Sequence, residues 1–193
     1  EAVVHAYPIK APMLDIHTVG AGGGSIAHVD SGGLLKVGPR SAGAAPGPVC
    51  YGLGNQEPTV TDANVVLQTV GRGRLRGGRM PVDRALWRAA IGRLAQRLGL
   101  DTMATASGIL SVVTANMARA IRVISVQRGY DPRDYTLTAF GGAGPLHAAR
   151  LARELVERFL RDGFGEPVLL NVNVPDVPVL EGVRVTRLGR RHK

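Results

Sequence analysis

A glycine-rich turn between a strand pattern and a helix pattern constrains the fold of this chain more than any other feature. Residues 135–140 alternate like a strand, and a helix pattern runs from residue 146 to about 160. The turn between them is Gly141, Gly142, Ala143, Gly144 and Pro145. This order predicts an α/β fold in which a ligand can approach the turn's backbone without meeting a Cβ. Glycine also serves purely steric needs in such turns, so the turn by itself leaves ligand binding open.

The first 62 residues show strand and turn patterns. Residues 26–29 and 34–37 flank Gly32 and Gly33 as a hairpin would. A second glycine-rich loop precedes this hairpin and contains Gly22, Gly23, Gly24 and Ser25. Asp15 and His17 lie just before that loop and share one face if the segment is extended. They could ligate a metal or hold a polar substrate, or they could hydrogen-bond to loop amides.

Two helices are predicted in the middle of the chain, over residues 82–98 and 104–128. The first has an apolar stripe at four-residue steps and ends before Gly99, and the stripe is Leu86, Ala90, Leu94 and Leu98. The second begins after a cap at Asp101 or Thr102 and ends at Gly129. Its small apolar residues predict a helix that is largely buried and packed on several sides.

Composition excludes several classes of protein. The net charge of +9 invites a nucleic-acid interpretation, but the basic excess lies on the first helix, its preceding loop and the tail, with no recognition motif. A solvated basic face is the simpler interpretation, and we expect no nucleic-acid partner. No unbroken run of 18 apolar residues is present, so no membrane partner is expected. The common GxSxG, HExxH and paired CxxC signatures are absent from the sequence.

Cys50 and His147 are the remaining reactive side chains that invite a role. Cys50 is the single cysteine, so no internal disulfide can form, and a cytoplasmic location is expected. With no histidine nearby in sequence, Cys50 is predicted to be a buried apolar residue rather than a nucleophile. His147 follows the glycine turn directly, where it could contact a bound nucleotide or only make a structural hydrogen bond.

Three longer segments, taken together, carry a family resemblance. Residues 15–27 read DIHTVGAGGGSIA and lead to VGPRSAG at residues 37–43, and residues 57–64 read EPTVTDAN. Residues 128–135 read RGYDPRDY and lead to FGGAGPLHA at residues 140–148. In this order and spacing the segments resemble the A-type subunit of the hydantoinase/oxoprolinase family over about residues 1–153. Such long motifs are far more specific than a single glycine loop.

The resemblance implies a fold and an activity. The fold is part of an actin-like ATPase (ribonuclease H-like) lobe with long buried helices. The family couples ATP cleavage to the opening of a small cyclic amide such as 5-oxoproline or a hydantoin, and close relatives carboxylate ketones. The implied cofactors are ATP and Mg²⁺. The implied partners are a B-type subunit or a second copy of the chain.

The resemblance also implies site residues. It places the loop Gly141, Gly142, Ala143, Gly144 and Pro145 on the adenosine side of the nucleotide cleft. It places residues 15–25 near the active site, so Gly22, Gly23, Gly24 and Ser25 are candidates for a substrate loop. Asp15, His17 and Asp62 are the candidate catalytic residues. No metal ligand is assigned.

The sequence departs from the family pattern in several places. The family's phosphate-binding segments, with their metal-binding aspartates, precede the point that corresponds to Glu1, so we expect a fragment that does not hydrolyse ATP on its own. Ala45 stands where relatives often carry Asp before Pro-Gly-Pro, and His28 stands where Trp is common. A non-catalytic remnant or a subunit-binding module is therefore the alternative function.

The end of the chain has a different resemblance. Residues 167–175 and 182–191 are similar to an interior stretch of the stationary-phase-survival nucleotidases, which implies a short, strand-rich tail. We therefore predict two parts: a partial hydantoinase/oxoprolinase-like domain at residues 1–153 and a nucleotidase-like tail at 154–193 that is not an independent domain. The tail alone would suggest a nucleoside monophosphate phosphatase, a further alternative that lacks its catalytic region here.

Overall fold

Three helices carry most of the regular structure in the part of the chain that can be described. The structure is a computed structural model, and it describes residues 2–4, 7–9, 16–70, 74–75, 80–139, 141–148, 150–152 and 183–184. The helices are α1 (Val60–Val66), α2 (Arg84–Leu98) and α3 (Thr102–Ile124). A last helix, α4, covers residues 144–148 and 150–152. Short 3₁₀ turns occur at Val49–Tyr51, Val126–Arg128 and Pro132–Asp134.

The strands pair in twos, and each pair within the described residues is antiparallel. The pairs are β1 (Ala2–Val4) with β2 (Tyr7–Ile9), β3 (Ser25–Val29) with β4 (Leu35–Ser41), β5 (Arg74–Leu75) with β6 (Met80–Pro81), and β7 (Thr138–Ala139) with β8 (Val183–Arg184). The described part is therefore helix-rich with small sheets. The predicted strand over residues 135–140 is reduced to β7, and the tail contributes its partner β8.

The predicted hairpin is confirmed as β3 and β4. Ala27 pairs with Val37 and Val29 with Leu35, and a register shift follows Ser25. The Asp30 carboxylate accepts hydrogen bonds from the amides of Gly32 and Leu34, both 2.9 Å long, which fixes the turn. Beyond the predicted strand, β4 continues to Ser41 and brings the chain back beside the first glycine-rich loop.

Helix α1 was not predicted from the sequence, which was expected to form strands and turns up to residue 62. Thr59 caps this helix: its amide donates to the Asp62 carboxylate at 2.8 Å, and the Asp62 amide donates to the Thr59 hydroxyl at 3.4 Å. This reciprocal capping box is the local reason for a helix here. Seven residues are too few for a helical period to be recognised from the spacing of apolar residues alone.

Helix α2 ends where predicted and begins two residues later, and its predicted stripe is confirmed at Ala90 and Leu94 but not at Leu86. Asp83 caps the start through bonds from two amides of the first turn, and Gly99 ends the helix with a φ of +65°. The buried face is formed by Trp87, Ala90, Ile91, Leu94 and Ala95, whereas Leu86 is exposed. Alternating steps of three and four residues follow the helical period of 3.6 residues and stay on the buried face. A strict four-residue step gradually moves away from that face.

Helix α3 begins as predicted and ends earlier than predicted. The Ala104 amide donates to the Asp101 carboxylate at 2.7 Å, and the helix ends at Ile124, before the 3₁₀ turn that Gly129 terminates. One stripe is buried: Thr105, Ala106, Ile109, Leu110, Val113, Thr114 and Ala118. Ser107 and Ser111 are exposed. Burial is thus confirmed for one stripe, and packing on several sides is confirmed by the contacts of the helix with α1, α2 and β4.

The length and composition of Thr102–Arg128 would suffice to cross a membrane. An unbroken apolar run is not required for this, because scattered serine and threonine residues lower the mean hydropathy only slightly. Core helices of soluble proteins have the same properties, and here α3 packs against α1, α2 and β4. The shared core contains Ala27, Val37, Val60, Ala63, Val66, Ile91, Ile109, Leu110 and Val113.

Candidate functional site

The two glycine-rich loops, more than a hundred residues apart in sequence, lie against each other. We call residues 20–25 the first glycine loop and residues 141–145 the second glycine loop. A Cβ placed on Gly23 would lie 3.4 Å from the Ala143 Cβ and 2.8 Å from the Thr61 hydroxyl. The Thr61 amide and hydroxyl both donate to the Gly23 carbonyl at 2.9 Å. The start of α1 therefore holds the first glycine loop in place beside the second.

Ser25 gives the first glycine loop its shape. The buried hydroxyl accepts a hydrogen bond from the Gly22 amide at 2.9 Å and donates to the Gly20 carbonyl at 3.1 Å. Ser25, predicted as a substrate-loop residue, thus makes contacts within the loop. Gly22 is exposed, and no atom lies within 4 Å of a Cβ built there.

Close packing against β4 explains two other glycines. A Cβ on Gly24 would lie 2.8 Å from the Ser41 hydroxyl, and one on Gly38, whose φ is +72°, would collide with the Gly20 carbonyl oxygen. Only glycine fits such a close backbone approach at a left-handed position. The first glycine loop is therefore seated directly on β4.

The second glycine loop is open, in contrast to the first. Gly141 and Gly142 have φ values of +66° and +47°, and the Gly144 amide donates to the Gly141 carbonyl at 3.2 Å. Within the described structure, no atom lies within 4 Å of a Cβ built on Gly141, Gly142 or Gly144. The positive φ values explain the first two glycines, but no described neighbour explains Gly144. The loop leaves space for an atom group from outside the described residues.

Asp62, a candidate catalytic residue, lies in the core. Its side chain has no exposed surface, and its two oxygens accept bonds from the amides of Cys50 (2.7 Å), Thr59 (2.8 Å) and Val49 (3.1 Å) and from the Thr59 hydroxyl (2.8 Å). A carboxylate with four protein donors and no solvent contact fastens a loop to a helix. This geometry gives Asp62 a structural role.

Of the other two candidate catalytic residues, the structure describes only His17. His17 is exposed at the start of the described segment 16–70, and Asp15 lies outside the described residues. Within the described part of the chain, no group of three or more His, Cys, Asp or Glu side chains could hold a metal ion. The catalytic roles of Asp15 and His17 remain predictions.

His147 is buried and has no hydrogen-bond partner among the described residues. It is 1% exposed, and neither ring nitrogen is paired. Burial, and secondarily the charge of Arg150, hold the pKa of the imidazole below its ordinary value of 6.5. A neutral imidazole without hydrogen-bond partners is costly to bury. The described residues alone therefore do not satisfy the ring nitrogens of His147.

Cys50 behaves as the sequence predicts. Its thiol is completely buried, and burial, reinforced by the negative charge of Asp62, raises the pKa of the thiol far above its ordinary range. The nucleophilic thiolate is therefore strongly disfavoured. Cys50 is part of the core.

A surface cleft of about 540 Å³ adjoins the first glycine loop. Its walls include Arg40, Ser41, Gly43, Pro46, Asn55 and Glu57. The Arg40 guanidinium donates to both oxygens of Glu57, over 2.6 and 3.4 Å. Sequence reasoning missed this pair because nothing in the local pattern links two exposed side chains that are 17 residues apart. We call this feature the Arg40–Glu57 cleft.

The sequence that forms these loops matches a known family. The family model described as hydantoinase/oxoprolinase matches residues 1–159. The chain belongs to this family. Similar members include the caprolactamase alpha subunit of Pseudomonas jessenii, which is 51% identical over 150 residues, covering 77% of this chain and 22% of that protein. The acetophenone carboxylase gamma subunit of Aromatoleum aromaticum is 50% identical over 155 residues, covering 79% and 21%.

A plant relative and a crystal structure extend this family match. 5-Oxoprolinase 1 of Arabidopsis thaliana is 40% identical over 164 residues, covering 76% of this chain and 13% of that protein. The crystal structure of the ATP-dependent caprolactamase from Pseudomonas jessenii superposes with a TM-score of 0.67 and 50% identity, covering 75% of this chain and 21% of that one. The predicted family is thus confirmed. The chain spans about a fifth or less of the length of these relatives.

Proposed function

We propose that this chain is part of an ATP-dependent enzyme that opens a cyclic amide, and that its two glycine loops form one wall of the nucleotide cleft. The proximity of Gly23 to Ala143 carries this proposal, because it brings the loop predicted near the substrate beside the loop predicted near the adenosine. Two relatives support the chemistry: one is an ATP-dependent caprolactamase and another is a 5-oxoprolinase. The fold proposed with it is part of an actin-like ATPase lobe.

The second glycine loop suits the nucleoside side of ATP. Gly141, Gly142 and Gly144 leave their backbone uncovered in the described structure. A flat backbone without Cβ atoms can lie against a nucleobase, and the start of α4 directs amides towards the same space. The loop Gly141, Gly142, Ala143, Gly144 and Pro145 would therefore hold the nucleoside, with the first glycine loop beside it.

The described residues do not provide a binding site for Mg²⁺. Since the described residues offer no cluster of metal-ligating side chains, Mg²⁺ that accompanies ATP would take its protein ligands from elsewhere. Phosphorylation of the amide oxygen by ATP would supply a better electrophile than the resonance-stabilised amide. The part of this chain in that reaction is to bind and orient.

A partner subunit is part of the proposal. Two relatives, each matching more than three quarters of this chain, are the alpha subunit of a caprolactamase and the gamma subunit of a carboxylase. We propose that this chain works with a B-type subunit or with a second copy of itself. A cytoplasmic location is proposed with it.

ATP turnover tests the activity. ATP hydrolysis that depends on 5-oxoproline, a hydantoin or a lactam is measured for this chain and for a version extended upstream, each with and without a B-type partner. We expect turnover in the extended version only. Turnover in neither version, with the partner present, would refute the cyclic-amide assignment. An extended version that binds its partner but never turns over would favour the alternative of a subunit-binding module.

A matched pair of glycine variants tests the nucleotide side. Gly144→Val adds a side chain where no described atom lies within 4 Å, and Gly92→Val does the same in α2, far along the chain. Neither glycine has a positive φ, so both variants should keep the wild-type melting temperature. Nucleotide binding by the extended version should fall by about tenfold or more in Gly144→Val only. Equal binding by both variants would place the nucleotide elsewhere.

A further inference from the structure

The Arg40–Glu57 cleft is continuous with the glycine loops. A Cβ on Gly24 would lie 2.8 Å from the Ser41 hydroxyl and 3.7 Å from the Gly43 amide nitrogen, and both residues line the cleft. A Cβ built on Gly23, the preceding residue, would lie 3.4 Å from the Ala143 Cβ of the second glycine loop. The order in space is therefore cleft, first glycine loop, second glycine loop. A ligand in the cleft would lie one loop away from the proposed nucleotide.

The cleft is open to solvent and is lined by both polar and apolar residues. Its volume of about 540 Å³ falls within the range of ligand pockets. Arg40 and Glu57 are the charged residues of the lining, and they neutralise each other. Asn55 holds the rim: its amide group donates to the carbonyls of Gly47 (2.8 Å) and Glu57 (2.9 Å), and its oxygen accepts from the Glu57 amide (3.0 Å).

The ion pair still has hydrogen-bonding capacity. Arg40 has five N–H donors and uses two on Glu57, and each carboxylate oxygen of Glu57 has a further lone pair. The pair thus presents a donor and an acceptor side by side. An amide inside a small ring is fixed in the cis form, so its carbonyl oxygen and its N–H lie on one edge. Such an edge complements a donor next to an acceptor.

We propose that the Arg40–Glu57 cleft binds the ring amide of an uncharged cyclic amide, with Arg40 donating to the ring carbonyl and Glu57 accepting from the ring N–H. This inference rests on the proposed function and adds the substrate class. The charge of Arg40 is already balanced, so a ligand carboxylate would meet the negative charge of Glu57. The cleft therefore selects against anionic rings such as 5-oxoproline.

Three probes that differ in single features test the proposal. 2-Pyrrolidinone has the uncharged ring amide, 5-oxoproline adds a carboxylate, and N-methyl-2-pyrrolidinone lacks the N–H. Each is titrated into the isotope-labelled chain while the amide signals of Gly43 and Glu57 are followed by NMR, with Ser107 and Ser111 on α3 as a remote reference. We expect shifts at Gly43 and Glu57, and about tenfold tighter binding of 2-pyrrolidinone than of the other two.

Variants assign the two roles. Glu57→Gln uncovers the charge of Arg40 and replaces a charged acceptor by a neutral one, so binding of 5-oxoproline should become about tenfold tighter while that of 2-pyrrolidinone weakens by about threefold or more. Arg40→Gln should weaken 2-pyrrolidinone binding about tenfold. Lys36→Gln breaks the other exposed ion pair of the hairpin, Lys36 with Asp30 at 3.7 Å, and should change neither affinity. Circular dichroism checks the fold of each variant.

Several outcomes would overturn the proposal. One is an absence of shifts at Gly43 and Glu57; another is equal affinity for all three probes; a third is a wild-type preference for 5-oxoproline. The proposed function fails separately, when the upstream-extended enzyme with its partner consumes no ATP with any cyclic amide. If that enzyme is active but indifferent to Arg40→Gln and Glu57→Gln, the cleft inference is wrong and the proposed function stands.

Discussion

The regions around Asp62 and around His147 each bury a polar side chain, and they differ in whether that side chain is hydrogen-bonded. The Asp62 junction, formed by Val49, Cys50, Thr59 and Asp62, satisfies both carboxylate oxygens with four donors. His147, equally buried, has two ring nitrogens without a partner among the described residues. A buried polar group is stable only when it is paired, so the first region is complete in itself and the second is not.

The glycines show the same contrast. In the first glycine loop and β4, Gly24 and Gly38 are needed because neighbouring atoms leave no room for a side chain. In the second glycine loop, a side chain on Gly144 would meet no described atom. The chain thus contains one region shaped by its own packing and one region shaped for a group that the described chain does not supply.

Removal of the Asp62 carboxylate should have the largest effect on stability. Asp62→Ala leaves three backbone amides and a hydroxyl without their acceptor, so we expect the free energy of unfolding to fall by about 4 kcal/mol. Urea denaturation measures it. Asp101→Ala, which removes the exposed cap of α3, is the control and should cost about 1 kcal/mol. Similar losses in the two variants would contradict the view of Asp62 as a central anchor.

Substitution of Gly38, whose backbone lies close to Gly20, should have the second-largest effect on stability. Gly38→Ala combines a left-handed φ with a collision against Gly20, and should cost about 3 kcal/mol. Gly33→Ala has a similar φ of +80° but no neighbour within 4 Å, and should cost about 1 kcal/mol. Thermal melts of the two variants separate the collision from the backbone strain. If the melting temperatures agree, Gly20 and β4 are not in close contact.

His147→Leu should stabilise the chain. It replaces an unpaired buried imidazole by an apolar side chain, so we expect a gain of about 1 kcal/mol at pH 7.5. Because the pKa of His147 is lowered on folding, the unfolded chain binds the proton more readily, and wild-type stability should fall as the pH drops below 6.5. His147→Leu should lose less between pH 7.5 and 5.5. His17→Gln, at an exposed position, is the control.

A different result for His147 would be equally informative. If His147→Leu destabilises the chain and leaves the pH dependence unchanged, the imidazole has a partner in the folded protein. The contrast with Asp62 would then disappear.

Deletion of the tail should have the smallest effect. Removing residues 164–193 takes away β8, whose pairing with β7 involves only two residues on each strand. We expect a change in melting temperature below about 2 °C, and weaker self-association in sedimentation equilibrium because residues 168–174 carry five aliphatic side chains. A large loss of stability would show that the tail is an integrated part of the fold, and the predicted division into a domain and a tail would give way to a single domain.

Local signals gave most of the helix and hairpin assignments. Asp83, Gly99 and Asp101 mark helix ends through contacts with residues a few positions away, so they can be recognised in the sequence. The capping box that Thr59 and Asp62 form at the start of α1 is an equally local signal. It was overlooked because the first 62 residues were interpreted as strands and turns. The predicted helix from residue 146 is confirmed in its described residues as α4, and its remainder from residue 153 to about 160 falls outside the described residues, as does the tail segment 167–175.

The candidate site was predictable only in its parts. Both glycine loops were recognised, but the proximity of Gly23 to Ala143 depends on how α1 is placed. The pairing of Arg40 with Glu57 likewise depends on the return of β4 past the first glycine loop. The sequence carries no periodicity that reports such long-range contacts. The roles of the glycine loops in binding remain predictions.

The burial of Cys50 gives the molecule an internal reporter of its own opening. The thiol is the single one in the chain, it is fully enclosed, and its pKa is raised. A thiol-directed reagent can therefore react only in molecules whose core has transiently opened, and the rate of labelling measures how often that happens. Since the Cys50 amide donates a hydrogen bond to the Asp62 carboxylate, the labelling rate also reports whether the Asp62 junction is intact. The protein can thus be monitored for core fluctuations without any added probe.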